Sequence, residues 1–404
     1  MSRATTEAVA VKVAVCGIIV SIAMMVGAGC ARQEVFPVVT RSGLVFVTES
    51  GDVREIEAVR CGSVNAGVDD YLVLRSKDGL MYVCDLSGRR VVDVGFTRTF
   101  ANSKYFGGRR QDGLWAVYTY EGDQVGSSWK GLNGISEYGM AAVTRDGNSW
   151  GVADTEGEWV IEPKYTVTRC IGGRLFGVGV GGEEHEHELI PRVHATWGLA
   201  RDDGTVLREP FATGIGFVAQ REQPLIPYSL DSFLDTGLVG AGGKWGFLDK
   251  SGSVVVKPRF VGGAGEFEND RCCVAIEKDG KKIYGFIDGN GVMVIEPQFN
   301  GPHVFSEGLA AVLVEGQWGY VDRAGEYAIA PQYQEAISFS EGRGAVKKDG
   351  LWGFIDSSGR EVIPCRYVDL VQRFWRGVAT VRTRNETLLI DRSGNVVWSS
   401  GPEE

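Results

Sequence analysis

The chain has 404 residues, with 42 lysines and arginines against 52 aspartates and glutamates and a formal charge of −10 at pH 7. An acidic chain without a Lys/Arg-rich run excludes a phosphate-neutralising nucleic-acid face. Its 44% hydrophobic and 23% charged residues exclude wholesale disorder. Glycine, at 57 residues, has about twice its usual share of about 7%, so the fold needs many tight turns and close backbone approaches. Short strands supply these better than helices do.

In chain order the first feature is the apolar run 13–28 (VAVCGIIVSIAMMVGA), behind Arg3 and Lys12. It is shorter than the roughly 20 residues of a membrane-spanning helix and has the length of a signal-peptide core. The run ends in Gly27-Ala28-Gly29-Cys30. This resembles a bacterial lipoprotein signal, in which small residues precede a cysteine that becomes the acylated first residue. The resemblance implies lipid attachment at Cys30, although Gly27 stands where the pattern usually has leucine. Ordinary cleavage after Ala31, an uncleaved anchor and a buried apolar segment are the competing readings. Residues 1–29 are thus read as a signal peptide and 30–40 as a short tether. The expected location is the bacterial cell envelope, membrane-anchored through lipid, with a periplasmic or secreted protein as the alternative.

Beyond Cys16 and Cys30, the cysteines are Cys61, Cys84, Cys170, Cys272, Cys273 and Cys365, with no CxxC pair. An exported compartment permits disulfides, but scattered cysteines in a chain long enough to bury a core read as small hydrophobes. Neighbouring Cys272 and Cys273 would face opposite sides of a strand, and a distant partner for either cannot be assigned from sequence.

The mature chain is dominated by a repeat. Its clearest copies are Trp318-Gly319-Tyr320-Val321-Asp322 with Gly325, and Trp352-Gly353-Phe354-Ile355-Asp356 with Gly359. Trp150, Trp197, Trp245 and Tyr284 start further copies, and Val45, Met81, Trp115 and Thr387 start degenerate ones. The spacings between successive anchors are 36, 34, 35, 47, 48, 39, 34, 34 and 35 residues, a period interrupted by three longer intervals. A fixed period of this size is the signature of a repeat architecture.

Within a copy, alternation puts Trp352, Phe354 and Asp356 on one strand face and Gly353 and Ile355 on the other. Asp356-Ser-Ser-Gly359 supplies a turn-capping side chain and a glycine for a hairpin. The next strand, 360–363, is expected to stop at Pro364, with Pro163, Pro258, Pro297 and Pro331 ending its counterparts. An aromatic follows each proline (Tyr165, Phe260, Phe299, Tyr333) and Tyr367 follows Pro364; then come segments such as Phe305-Ser-Glu-Gly308 and Phe339-Ser-Glu-Gly342, leading into another strand. Each unit therefore reads as three or four strands, and no helical pattern interrupts them.

The Trp-Gly, Asp-x-x-Gly, Ile-x-Pro and Phe-Ser-Glu-Gly elements resemble the WG-repeat, or KWG-repeat, family of bacterial proteins, most strongly over residues 150–170 and 242–398. The resemblance implies an all-β repeat architecture and frequent attachment to exported or surface proteins. It implies no general reaction and no catalytic residue. The expected fold is an all-β repeat array of short antiparallel sheets with ten WG-type units over residues 41–398, β-propeller-like, with an open β superhelix as the alternative. Ten units exceed the usual four to eight blades, but in either form neighbours bury one another's faces. Residues 171–194 and 212–242 read as inserted loops.

The repeated aromatics Trp115, Trp150, Trp197, Trp245, Tyr284, Trp318 and Trp352 are read as structural anchors rather than a ligand-stacking ladder, because the following glycine leaves room for close packing. Trp129, Trp159, Trp375 and Trp398 fall outside that slot and are the better candidates for surface contacts. The aspartates 85, 154, 249, 288, 322, 356 and 391 are read as turn caps, since a calcium loop needs several oxygen ligands close together.

Glu183, Glu184, His185, Glu186, His187 and Glu188 form a candidate interaction loop, with His194 beyond it. The histidines could hold a transition metal, but no HExxH helix or thiolate pair supports a metal site. His303 stands alone. No nucleophile elbow, P-loop or dinucleotide fingerprint occurs, so no catalytic residue, metal or cofactor is assigned. The expected function is a non-enzymatic, envelope-associated scaffold for an unidentified envelope protein. The alternative is a cell-wall or polysaccharide binding protein, possibly hydrolytic, which would need two acids about 5 to 9 Å apart.

Overall fold

The chain divides into two compact units, Met1–Arg32 and Gln33–Glu404. The computed structural model describes residues 35–39, 44–48, 51, 53–54, 63–68, 71–76, 79–85, 89–181, 184–185, 192–193, 195–216, 223–231, 243–261, 265, 267–302 and 304–402, all in the second unit. Among the described residues there are eight four-stranded sheets, two three-stranded sheets and one two-stranded ribbon. Among the described residues all strand pairs are antiparallel and no helix occurs. Strand order within each sheet follows sequence order, so neighbouring strands are joined by hairpins. Among the described residues no sheet closes into a barrel: sheet by sheet this is solenoid-like, a tandem series of small bodies.

The sheet built from Glu335–Ala336, Gly344–Lys348, Leu351–Ile355 and Glu361–Tyr367 represents the others. Trp352-Gly353 lies on its third strand. Pairing runs from Trp352↔Tyr367 to Phe354↔Ile363, two steps on the third strand against four on the fourth. The surplus residues form a bulge whose backbone folds over Gly353. A Cβ on Gly353 would lie 2.6 Å from the Ile363 carbonyl oxygen and 2.7 Å from the Cys365 nitrogen. Gly319 has the same relation to Ile329 and Pro331, at 2.6 Å each. Gly151, Gly198, Gly246 and Gly285 repeat the contact, so the glycine of the motif is there because backbone occupies the place of its side chain.

This corrects the expectation that proline ends the strand. The fourth strand runs through Pro364, as its counterparts Val254–Val261, Met293–Phe299 and Tyr327–Tyr333 run through theirs. It is the outer strand, with a neighbour on one side only. A proline there removes no ladder hydrogen bond, and the bulge blunts an edge that would otherwise invite further strands.

Both faces of a sheet are buried, each against a different neighbour. Ala345, Trp352, Phe354, Ile363 and Tyr367 pack with Phe374, Ala379, Val381, Leu388 and Ile390 of the following sheet. Val346 and Ile355 pack with Ala311, Tyr320, Ile329 and Tyr333 of the preceding one. Cys272 and Cys273 likewise enter different cores. Stability is thus shared between neighbours. The first sheet (Val35–Val39, Leu44–Thr48, Val53–Arg54) also has such a neighbour: Phe36, Val38 and Val47 share a core with Leu389, flanked by Trp375, Val378, Val397 and Trp398 of the last sheet.

The sequence period and the sheet are out of phase. Trp-to-Trp spans the outer half of one sheet and the inner half of the next. The inserted stretches are also narrower than the sequence suggests, because Val167–Gly172, Leu175–Val180, Gly214–Ile215 and Ile226–Ser229 are ordinary sheet strands.

Gly353→Ala is expected to cost about 3 kcal/mol, the upper range for overpacking, because rigid backbone must move. Gly350→Ala, at a turn with φ 79° and nothing within 4 Å, should cost only about 1 kcal/mol. Equal losses in denaturant unfolding would remove the role assigned to the bulge contact.

Candidate interaction surface

In such a meander the first-to-second and third-to-fourth hairpins share one end of each sheet, and the second-to-third hairpins occupy the other. At the first end sit the repeated aspartates. The Asp356 carboxylate accepts the backbone N–H groups of Ser358 at 3.0 Å and Arg360 at 3.1 Å, while its carbonyl accepts that of Gly359 at 2.9 Å. Asp154, Asp249, Asp288, Asp322 and Asp391 cap their turns in the same way. Hydrogen bonding, led by the Ser358 side chain, holds Asp356 below the ordinary carboxylate range. For Asp249, Asp288 and Asp391 burial opposes the shift, but turn hydrogen bonds outweigh it. Among the described residues no group of three or more His, Cys, Asp or Glu side chains could hold a metal ion.

The same end carries a stitch between sheets. Ser306 Oγ donates to the Phe339 carbonyl at 2.7 Å, and Ser340 Oγ to the Phe374 carbonyl at 2.6 Å. Glu307 accepts the Gly342 N–H at 2.9 Å, and Glu341 accepts that of Gly377 at 2.8 Å. Both glutamates have φ 53°, a conformation uncommon outside glycine, and the carboxylate hydrogen bond offsets its strain. Sequence reading noted Phe-Ser-Glu-Gly without assigning this role. Its 34-residue recurrence was the available signal.

Of the anchors, Trp197 and Trp245 are fully buried and Trp150 and Trp352 nearly so, whereas Trp115, Tyr284 and Trp318 are half-buried. Trp129, expected as a surface contact, is instead 3% exposed. It packs edge-on against Trp159 at 5.4 Å, with the Arg145 guanidinium over both rings, because the sheet is covered on both sides. Trp375 and Trp398 are half-buried in the core of the first and last sheets. Burial pushes the Cys170 thiol up to about 11 and raises Cys273 as well, so neither is a ready nucleophile.

Cys30, Glu183, Glu186, His187, Glu188, His194 and His303 lie outside the described residues. The backbones of Glu184 and His185 form a two-residue strand paired with Arg192–Val193. A hollow of about 160 Å³ lined by Arg174, Arg201, Gln223 and Lys250 adjoins the first end. Its arginines already face acids, Arg174 with Asp202 at 2.7 Å and Arg201 with Asp203 at 3.8 Å.

The opposite end is where the units differ. Three second-to-third connections are two-residue turns, Asp279-Gly280, Glu315-Gly316 and Asp349-Gly350. In two adjacent sheets the corresponding connections run from 181 to 195 and from 230 to 243. The hairpin Arg271–Lys278/Lys281–Ile287 also projects further, pairing out to Lys278↔Lys281, with Glu277 to Lys282 all exposed. The geometry brings both long connections to one end, and it brings neither together with the aspartate turns.

At this end the Asp146 carboxylate is held at about 2 by hydrogen bonds, first from the Ser149 and Asn148 N–H groups. A lowered folded-state value gives stability that is present above the unfolded value and is lost on acidification. Stability should therefore be retained at pH 5 and fall between about pH 4 and pH 2. Asp146→Ala, measured by denaturant unfolding across that window, should flatten the fall, and an unchanged pH profile would contradict this.

Comparison with known proteins adds three findings. The family profile described as a WG containing repeat matches residues 150–170, 245–281, 284–318, 318–352 and 352–386. No curated protein matches the chain. Solved structures resemble it at low identity. One titled as a eukaryotic initiation factor is 12% identical with a TM-score of 0.50, covering 93% of this chain and 97% of that one. The computationally designed Ika8 protein is 13% identical with a TM-score of 0.39, covering 72% and 94%. Apo AztD from Citrobacter koseri is 10% identical with a TM-score of 0.31, covering 80% and 92%. The likeness to the initiation factor concerns fold alone. The profile match, together with the glycine contacts that recur in the matched segments, identifies a tandem of WG repeats within residues 150–386.

Proposed function

We propose that this protein is a non-enzymatic interaction module of the bacterial cell envelope, with its recognition surface at the end carrying the two long connections. The observation that carries this reading is their placement: 181–195 and 230–243 leave adjacent sheets at the same end. Length variation on one face of a repeat array marks a binding face, while the other end is occupied by turn caps and inter-sheet stitches. The Glu183 to Glu188 segment falls within the first connection. The partner is an envelope protein, and the chain reaches the membrane through lipid on Cys30.

The ring-like form of the fold belongs to the same reading. Separate sheets with nearest-neighbour cores suit an open solenoid, but a linear array leaves its two ends apart. The core shared by Phe36, Val38 and Val47 with Leu389 supports a propeller-like array that returns on itself.

A second reading is envelope polysaccharide binding. It is favoured by the ring of Tyr327, 49% exposed, since exposed aromatic faces stack on sugars. Photo-crosslinking residues placed at 278, 315 and 349 should capture a partner protein in intact cells, while placement at 323, 357 and 392 should not. Capture only from the second set, or retention by purified cell-wall glycan without a protein adduct, would overturn the protein-binding reading. Amino-terminal peptide mass analysis of the membrane fraction tests the anchor separately: acylated Cys30 is expected, and an intact Met1 would contradict it.

A further inference from the structure

We infer that the array stands on its anchoring membrane with the aspartate turns toward the bilayer and the long connections toward water, so that the partner meeting those connections is a water-soluble protein domain arriving from the aqueous side. The inference rests on the lipid anchor and the recognition end proposed above, and it deepens them by naming the orientation and the kind of partner that orientation admits.

Strand direction in the first sheet carries it. The Gly51 N–H donates to the Thr48 carbonyl at 2.9 Å, as Gly359 does to Asp356 at 2.9 Å in a third-to-fourth turn. The Gly51 turn also sits where such turns sit. A Cβ on Gly51 would lie 2.5 Å from the Val397 carbonyl oxygen in the outer strand of the last sheet, as one on Gly204 would lie 2.7 Å from that of Val160. Val397 and Val160 each stand three residues beyond their own sheet's turn glycine, Gly394 and Gly157. Leu44–Thr48 therefore runs toward the aspartate end of the array. Val35 pairs with Thr48, so Val35–Val39 starts at that end and leads away from it.

Chain length then fixes which end lies near the lipid. Val35 is five residues after Cys30, and five steps of at most about 3.6 Å hold it within about 18 Å of an acylated Cys30. Strand length sets the two ends of the array apart: the third strand with its flanking turn residues, 350 to 357, spans about 20 Å at about 3.3 Å per residue. A chain that leaves at the aspartate end is too short to pass back over that height and bring the opposite end down onto the bilayer. With the aspartate end below, the long connections stand about 20 Å or more above the lipid. The surface potential of the headgroups fades within a Debye length of about 8 to 10 Å. Headgroups and membrane-embedded segments are thus out of reach of these connections, and a domain in solution is not.

The test uses the full chain recovered from membranes and reconstituted in phospholipid vesicles that carry an acceptor dye on the headgroup. Donor dyes enter as non-natural residues, one at a time, at 290, 324 and 357 in the aspartate turns and at 278, 317 and 348 at the opposite end of the same three sheets, all exposed. Energy transfer from the first set should be about tenfold faster or more than from the second, given a height difference of about 20 Å over a plane of acceptors. Equal rates, as in an array lying on its side, or faster transfer from 278, 317 and 348 would overturn the orientation. An unacylated chain that leaves the vesicles would overturn the anchor itself and the orientation with it, and intact mass tells this outcome from the others. In cells, the protein captured from 278, 317 and 348 with a cleavable crosslinker should stay soluble without detergent once released. An integral membrane protein captured there would overturn the kind of partner assigned.

Discussion

The close approach of one backbone to another at the Trp-Gly glycine governs the rest of the structure. At Gly319 and Gly353 the carbonyl of the facing strand occupies the place of a side chain. That carbonyl is there because the outer strand carries surplus residues between two pairs, such as Tyr333 with Trp318 and Ile329 with Tyr320. The bulge puts the proline on an edge where no donor is missed, and it sets the tryptophan against the aromatic that follows. Trp, Gly, Ile, Pro and Tyr are therefore one device, and changing the glycine disturbs all of them.

Because each sheet is covered on both faces, its strands are apolar on alternating sides that serve different neighbours, as Phe354 and Ile355 do. Hydrophobic burial then adds along the array. The Ser and Glu hydrogen bonds supply the directional part, fixing how one sheet sits on the next. Faces that are committed to packing, and one end committed to caps and stitches, leave the second-to-third connections free to vary in length. The architecture thereby separates the residues that hold the array from the connections whose length varies.

Much of this was legible in the sequence because its chemistry is local. The period, the Trp-Gly pair and the Asp-x-x-Gly turns could be read from neighbouring residues. The proline was misread because its tolerance depends on a partner strand that lies more than ten residues away. Trp129 was misplaced for a related reason, since the slot rule says nothing of a second covering sheet. Ser306 and Glu307 contact residues 33 and 35 positions distant, beyond the reach of a local pattern. The reach of 171–194 and 212–242 was overestimated because glycine-rich strands such as Leu175–Val180 look like loop. Cys30 and most of the Glu183 to Glu188 segment lie outside the described residues, so they stand as the sequence left them.

The central claim is that stability is held between neighbouring sheets and that the Trp-Gly contact sets each one. Hydrogen exchange resolved by peptide, comparing Gly319→Ala with the unsubstituted protein, tests it most directly. The account predicts that protection falls in the sheet containing Gly319 and in the two that flank it, residues 267–299 and 335–367, while 98–165 keeps its protection. A uniform loss along the chain would show a single cooperative core and contradict the account.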